Sequence, residues 1–390
     1  MNIKSVINNY AIFKEKRLKD RFFKHKDIVE LLTKLPSAFE IKELGKSVNG
    51  KSINLVSWGK GKTKIMLWSQ MHGDEATGTM ALFDLFNFLQ SDNELIKLLT
   101  ENCQLHIIPM VNPDGAEVFT RRNIQQIDIN RDFLKETSPE AKILKQCRAD
   151  INPDFGFNLH DQLTTWSVTK TLKPATLSFL APAIDEELNI DETRQHAMLV
   201  IADMFKDLDK YLPGQIGLFD DEFEPRAFGD NFQKAGTSTI LIEAGGYQND
   251  FEKQEIRKYY FASILSGIIS IASKSFETQD TKNYFAIPKN NKQIFHYLIH
   301  NVNLNGIEVS IGINYEECAT ADGFSTAKTY AIQDIGDLSF CDAYHTLSAT
   351  NYLLKGEIIL FKNANFQLFE GDNIILSFEN GTIMSLPLRN

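Results

Sequence analysis

Two histidines and two glutamates stand where this chain can bring them to one point. His72 and Glu75 are three residues apart in Ser69-Gln70-Met71-His72-Gly73-Asp74-Glu75. That segment follows the apolar run Lys64–Trp68 and precedes a helical stripe, Leu82, Leu85, Phe86 and Leu89, at i, i+3, i+4 and i+7. Imidazole nitrogen and carboxylate oxygen are both good zinc donors. Alone the pair is weak, because the same residues also suit a helix N-terminus, where Asp74 and Glu75 favour the dipole. His160 strengthens it. It ends the run Phe155-Gly156-Phe157-Asn158-Leu159, and side chains at the carboxyl ends of strands line ligand crevices in α/β sheets. Two histidines and a glutamate with an open fourth position make a catalytic zinc set. Asp161 follows and can orient a ligand.

Glu243 closes Ile240-Leu241-Ile242-Glu243-Ala244-Gly245-Gly246, a strand run with no other charge. A lone carboxylate there needs a partner or a task. Beside zinc it can take a proton from bound water and return it to a leaving amine; a structural ion pair is the alternative. Between these pieces lie Asn112-Pro113-Asp114-Gly115, Thr120-Arg121-Arg122-Asn123 and Asp128-Ile129-Asn130-Arg131-Asp132. The first is a turn by its own chemistry. The others bring Arg and Asn out of the following loop, as donors for a carboxylate or oxyanion or simply as a solvated basic loop. Asp114, Asp128 and Asp132 are expected to hold loops.

The elements that must position these groups alternate. Val6–Leu35 is expected to be helical, and Phe39–Trp58 a hairpin around Asn49-Gly50. Lys64–Trp68, Gln104–Val111, Phe155–His160 and Ser238–Ala244 read as strands. Pro139–Cys147, Asp191–Leu208 and Glu252–Ala272 read as helices. The pattern predicts an α/β fold with a mixed, largely parallel sheet flanked by helices. Ser275–Asn283 reads as a linker. Beyond it Ile294–Val302, Ile307–Ile313, Lys328–Ile332, Glu357–Phe361 and Asn373–Phe378 read as strands, with turns at Asn305-Gly306 and Asn380-Gly381. The expected domains are residues 1–275, with a helical segment at 1–36, and a smaller C-terminal all-β domain at 284–390.

The order H-x-x-E, N-P-D-G, T-R-R-N, D-I-N-R, strand-final His and strand-final Glu, over roughly Phe39–Ser273, resembles the zinc carboxypeptidase family of metallopeptidases. Relatives of that family include murein-peptide amidases. The resemblance implies one zinc per chain on His72, Glu75 and His160, and Glu243 as general base and acid. It implies Arg121 as the oxyanion donor, with Arg122 as substitute, and Asn130 with Arg131 on the substrate's carboxylate. It departs from the family in two places. Asp220–Gly236 holds no tyrosine and carries Phe223, Phe228 and Phe232 instead, with Phe219 just before it. Asp161 also stands where typical members carry a small or hydroxylic residue. A metallopeptidase acting on a small peptide is the first expectation. A deacylase of N-acyl amino acids, like aspartoacylase and succinylglutamate desuccinylase, is the second, and a catalytically impaired peptide-binding protein the third.

Composition sets bounds. With 41 Lys+Arg against 51 Asp+Glu, the 390-residue chain carries a net charge of -10, which argues against a nucleic-acid partner. Cys103, Cys147, Cys318 and Cys341 form no C-x-x-C pair and are expected reduced. No stretch approaches about 18 uninterrupted apolar residues, so no membrane span is expected. Met1–Lys19 lacks a signal-peptide run, so a cytoplasmic location follows as the default expectation. The β domain is a candidate surface for homo-oligomers.

Overall fold

Strands buried on both faces read as unbroken apolar runs, and three such runs form the middle of the larger sheet. The computed structural model describes residues 3–385; residues 386–390 of the expected β domain lie outside them. The chain divides into two units. One comprises residues up to Thr164 with Val168–Lys170 and Ala175–Asn290; the other comprises Thr165–Ser167, Thr171–Pro174 and Asn291 onward.

In the first unit the strands are β1 (Glu40–Lys46), β2 (Ser52–Gly59), β3 (Thr63–Ser69), β4 (Cys103–Ile108) and β5 (Phe155–Asp161). After the two-residue β6 (Ser167–Val168) come β7 (Leu177–Leu180), β8 (Ile216–Leu218) and β9 (Ser238–Ala244). Eight of them form one mixed sheet in the order β1-β2-β4-β3-β5-β9-β7-β8. Its centre, β4-β3-β5-β9, is parallel, so the ends of β3, β5 and β9 open on the same edge. The hairpin β1–β2 turns at Asn49-Gly50, where Gly50 has φ +77.

The helices are α1 (Ile3–Asn8), α2 (His25–Leu32), α3 (Thr77–Leu89), α4 (Leu95–Asn102), α5 (Pro113–Glu117), α6 (Pro139–Ile151), α7 (Glu192–Leu208), α8 (Phe228–Lys234), α9 (Gln254–Ser273) and α10 (Thr281–Phe285). One hydrophobic core packs α3, α4, α7 and α9 on the sheet, with Phe86, Phe157, Ile201 and Leu265 all fully buried. A second holds Trp68, Leu144, Phe228 and Phe232 of β3, α6 and α8.

The N-terminal segment is not the single helix expected over Val6–Leu35. After α1 and a turn at Tyr10–Ile12 the backbone runs irregularly to α2. Tertiary bonds override helical propensity here. Asp84 and Arg257 form a fully buried ion pair. Asp84 accepts from the Tyr10 hydroxyl at 2.7 Å and the Glu15 amide at 2.8 Å, and Arg257 donates to the Leu18 carbonyl at 2.6 Å. A charge pair at that depth is stable only with its remaining hydrogen bonds made, and this stretch of backbone makes them. Residues 275–283, expected as a linker, form a 3-10 turn and the start of α10. Ser275 and Gln279 donate to Asp203 of α7 there.

The second unit is all β. β11 (Ile294–Leu304), β12 (Ile307–Ala319), β13 (Thr326–Gly336) and β14 (Asp342–Ser348) form one sheet, ordered β13-β12-β11-β14. β15 (Leu353–Glu357), β16 (Asn365–Glu370), β17 (Asn373–Glu379) and β18 (Thr382–Ser385) form another. Asn290–Asn291 is a two-residue β10 before them. Both Asn-Gly turns lie between strands with φ positive at each residue, 55 and 86 at Asn305-Gly306 and 47 and 85 at Asn380-Gly381. The strand expected at Glu357–Phe361 ends instead at Glu357. Phe361 has φ +61 and is 70% exposed, in a turn that bonds Phe361 and Lys362 to Ile332.

Candidate active site

Glu75 is the hub. Its Oε1 lies 2.7 Å from His72 Nδ1 and its Oε2 lies 2.7 Å from His160 Nδ1. The donor atoms of the three residues all fall within 4.8 Å of one another. His72 is 2%, Glu75 8% and His160 3% exposed. Local structure explains the approach. Gln70 leaves β3 with φ +53, and its side-chain Nε2 donates to the Gly73 carbonyl at 2.9 Å. A Cβ on Gly73 would stand 2.1 Å from the Gly115 backbone, so only glycine lets this turn lie against the Asn112-Pro113-Asp114-Gly115 turn. Asn112 caps α5 by accepting from Gly115. α3 then starts at Thr77, leaving Glu75 beside the end of β5.

Hydrogen bonding orients the ring of His72. Asp128 Oδ1 lies 3.2 Å from His72 Nε2, and a carboxylate can only accept. Arg121 Nη1 stands 3.1 Å from His72 Nδ1, and a guanidinium can only donate. Nε2 is thus the donor to Asp128, and Nδ1 faces Glu75 Oε1 across 2.7 Å. A proton on Nδ1 or a cation between the two atoms satisfies that separation. His160 Nε2 and Glu243 Oε2 are buried without a hydrogen-bond partner. Two imidazole Nδ1 atoms converging on one buried carboxylate, with a second carboxylate behind the His72 ring, fit a bound zinc ion.

The electrostatics agree. Burial would lower the pKa of His72, but the charge of Glu75 and the bonds from Asp128 and Glu75 raise it overall. Burial lowers His160, with Glu75 opposing. Burial would raise Glu75, yet both histidines hold it well below the usual carboxylate range. Asp128 is likewise depressed against its burial by His72 and Arg121. The pocket attracts positive charge at one point.

Glu243 lies next to this group. Parallel register pairs it with His160 across β5–β9. Burial pushes its carboxyl well above the ordinary range, and the negative charges of Glu75 and Asp161 add to that. A carboxyl so poised takes up a proton readily. Tyr260 supports the corner from α9, its hydroxyl donating to the Ile242 carbonyl at 2.7 Å and the His160 carbonyl at 3.2 Å.

The two adjacent arginines separate. Arg121 Nε bonds Asp128 Oδ2 at 3.0 Å and its Nη1 reaches Glu75 Oε1 at 3.3 Å. Arg122 turns away and donates to the Gln126 carbonyl at 2.9 Å. Asn130 and Arg131 are held by the 224–228 segment. Asn130 Oδ1 accepts from the Phe228 amide at 3.0 Å, and Arg131 Nε pairs with Glu224 Oε2 at 3.1 Å.

Two aspartates take other roles than the sequence suggested, and Lys253 was not singled out there. Asp161 does not orient the His160 ring. Its side chain takes the Thr77 hydroxyl at 2.7 Å and Lys253 Nζ at 3.0 Å, while its amide donates to Glu75 Oε2 at 3.1 Å. The orienting carboxylate is Asp128, which was expected to hold a loop. It does that as well, accepting from the Asn130 amide, and its place in D-I-N-R was the available signal. Lys253, at φ +51 before α9, carried none. Phe228 and Phe232 cannot replace the missing tyrosine, since both are buried against Phe133.

The sheet is that of the metallo-carboxypeptidase fold. A metallo-carboxypeptidase from Burkholderia cenocepacia superposes with a TM-score of 0.53 at 15% identity, covering 65% of this chain and 70% of that one. One from Pseudomonas aeruginosa, in complex with (2-guanidinoethylmercapto)succinic acid, gives 0.52 at 17% identity, covering 66% and 70%. In sequence, residues 25–178 match the zinc carboxypeptidase family. Carboxypeptidase SOL1 of Arabidopsis thaliana is 29% identical over 154 residues, 35% of this chain and 31% of its own length. The chain thus spans about a third of that relative. The matched segment contains His72, Glu75, Arg121, Asn130, Arg131 and His160. Glu243 lies beyond it and is placed by strand register. Among the described residues no helix is long and apolar enough to cross a membrane.

Proposed function

We propose that the chain is a zinc-dependent metallopeptidase that cleaves an amide bond in a small peptide or peptide-like substrate bearing a free carboxylate. The observation that carries this is the pair of imidazole Nδ1 atoms 2.7 Å from the two oxygens of one buried glutamate. His72, Glu75 and His160 would hold one zinc ion. When bound, zinc supplies Lewis acidity and makes water a nucleophile near neutral pH. Glu243 accepts the proton of the attacking water and delivers it to the departing amine nitrogen. Arg121 donates to the carbonyl oxygen as negative charge develops there. Asp128 orients the ring of His72. Arg131 and Asn130 take the carboxylate and set which bond reaches Glu243.

Glu243→Gln tests this directly. It keeps the size of the side chain and removes the base, so zinc stays bound while turnover falls by at least about a hundredfold. Unchanged turnover would place the base elsewhere. Short peptides assayed beside N-acyl amino acids separate the two hydrolase readings. Cleavage confined to N-acyl amino acids would make the chain a deacylase.

A further inference from the structure

The guanidinium assigned to the substrate's carboxylate is already seated on a carboxylate of the chain. Arg131 Nε stands 3.1 Å from Glu224 Oε2. Glu224 also holds Arg226 in a two-pronged contact, Nε to Oε1 at 2.8 Å and Nη2 to Oε2 at 2.7 Å. The arrangement is built into the backbone. Asp230 of α8 accepts from the Glu224 amide at 3.1 Å, the Phe133 amide donates to the Arg226 carbonyl at 3.2 Å, and the Phe228 amide donates to Asn130 Oδ1. The turn carrying Glu224 is thus tied at two points to the segment carrying Asn130 and Arg131. Both arginines depress the Glu224 carboxyl below its ordinary pKa, so it is an anion at neutral pH.

We propose that Glu224 is a specificity-determining residue, an internal carboxylate that competes with the substrate's carboxylate for Arg131. This rests on the reading of Arg131 given above. Two guanidiniums share the Glu224 carboxylate, with the Asp230 carboxyl also acting on Arg131. An incoming carboxylate binds by drawing Arg131 off Glu224, and Arg226 retains Glu224 when it does. The competition selects for substrates whose remaining contacts are strong enough to displace an ion pair. It weakens recognition of a bare terminal carboxylate.

The test uses the full zinc-loaded chain, with an N-acyl dipeptide carrying a free C-terminus and the same dipeptide as its C-terminal amide. Glu224→Gln should lower KM for the free acid about fivefold, the scale of one half-exposed charge pair. It should leave kcat within about twofold and the amide unaffected. Glu224→Asp withdraws the carboxylate from Arg131 and should act in the same direction, more weakly. Calorimetry with an N-acyl amino acid alone reads the same competition without turnover, and its Kd should fall by a similar factor in Glu224→Gln. An unchanged Kd, or a rise in KM for acid and amide alike, would overturn the proposal and make Glu224 a buttress. If neither dipeptide is cleaved by the unaltered protein, the peptidase reading fails, and the calorimetric result alone decides the role of Glu224.

Discussion

Buried histidines occur in both units, and their surroundings separate two uses of the same side chain. In the β unit His296 packs between Tyr315 and Tyr344, with ring centroids at 3.8 and 5.5 Å. Its Nδ1 accepts from the Tyr315 amide at 3.3 Å. Burial pushes its pKa down to about 3, so it serves as a neutral core ring. At the ends of β3 and β5, His72 and His160 are just as buried, but they share one glutamate and have Asp128, Asp161 and Glu243 around them. Burial without charge makes a histidine a packing group. Burial among acids makes it part of a site that calls for a cation.

Removing chemistry from the acidic corner should give the largest effects. Besides Glu243→Gln, Arg121→Ala is expected to lower turnover about a hundredfold, the usual cost of losing an oxyanion donor; a change under threefold would break the assignment. Lys253→Met comes next. It strands the Asp161 carboxylate, which is 6% exposed like its partner, beside Glu75. Leaving one member of a buried pair unpaired costs about 3 kcal/mol, to be read as a lowered urea midpoint.

His296 sharpens the other side of the contrast. Its folded pKa of about 3 lies below the unfolded value of about 6.5. The unfolded chain therefore binds the extra proton first as pH falls. The stability contributed is complete above pH 6.5 and is lost between there and about 3. At pH 5 the loss is ~2 kcal/mol, visible as weaker hydrogen-exchange protection in β11 than at pH 7. His296→Phe should flatten that dependence and leave zinc content unchanged. A pH-independent β11 in the unaltered protein would dissolve the comparison. The smallest effect is expected for Arg122→Ala. Its guanidinium bonds its own loop, so turnover should stay within about twofold.

The His-Glu-His corner was legible because His160 and Glu243 close apolar strands and His72 and Glu75 lie in the turn after another, positions visible in a linear pattern. His160 and Glu243 are register partners, so finding both strands brought both side chains together. Less was visible where partners are distant. The irregular path of residues 13–24 depends on Asp84 and on Arg257, about 240 positions further on in the chain. The short strands β7 and β8, of four and three residues, are too brief to show a period. Asp128 reads as a loop aspartate because accepting from Asn130 is a local matter, whereas its bond to His72 spans 56 positions. Glu224 looks like any surface acid until the fold sets it on Arg131.

Elemental analysis of purified protein puts the whole construction at risk. The two imidazoles and Glu75 should bring about one zinc per chain through gel filtration, and His72→Ala or His160→Ala should lose it while keeping the fold. Zinc retained at full stoichiometry in both variants would contradict the account, because the metal would then be held by other residues.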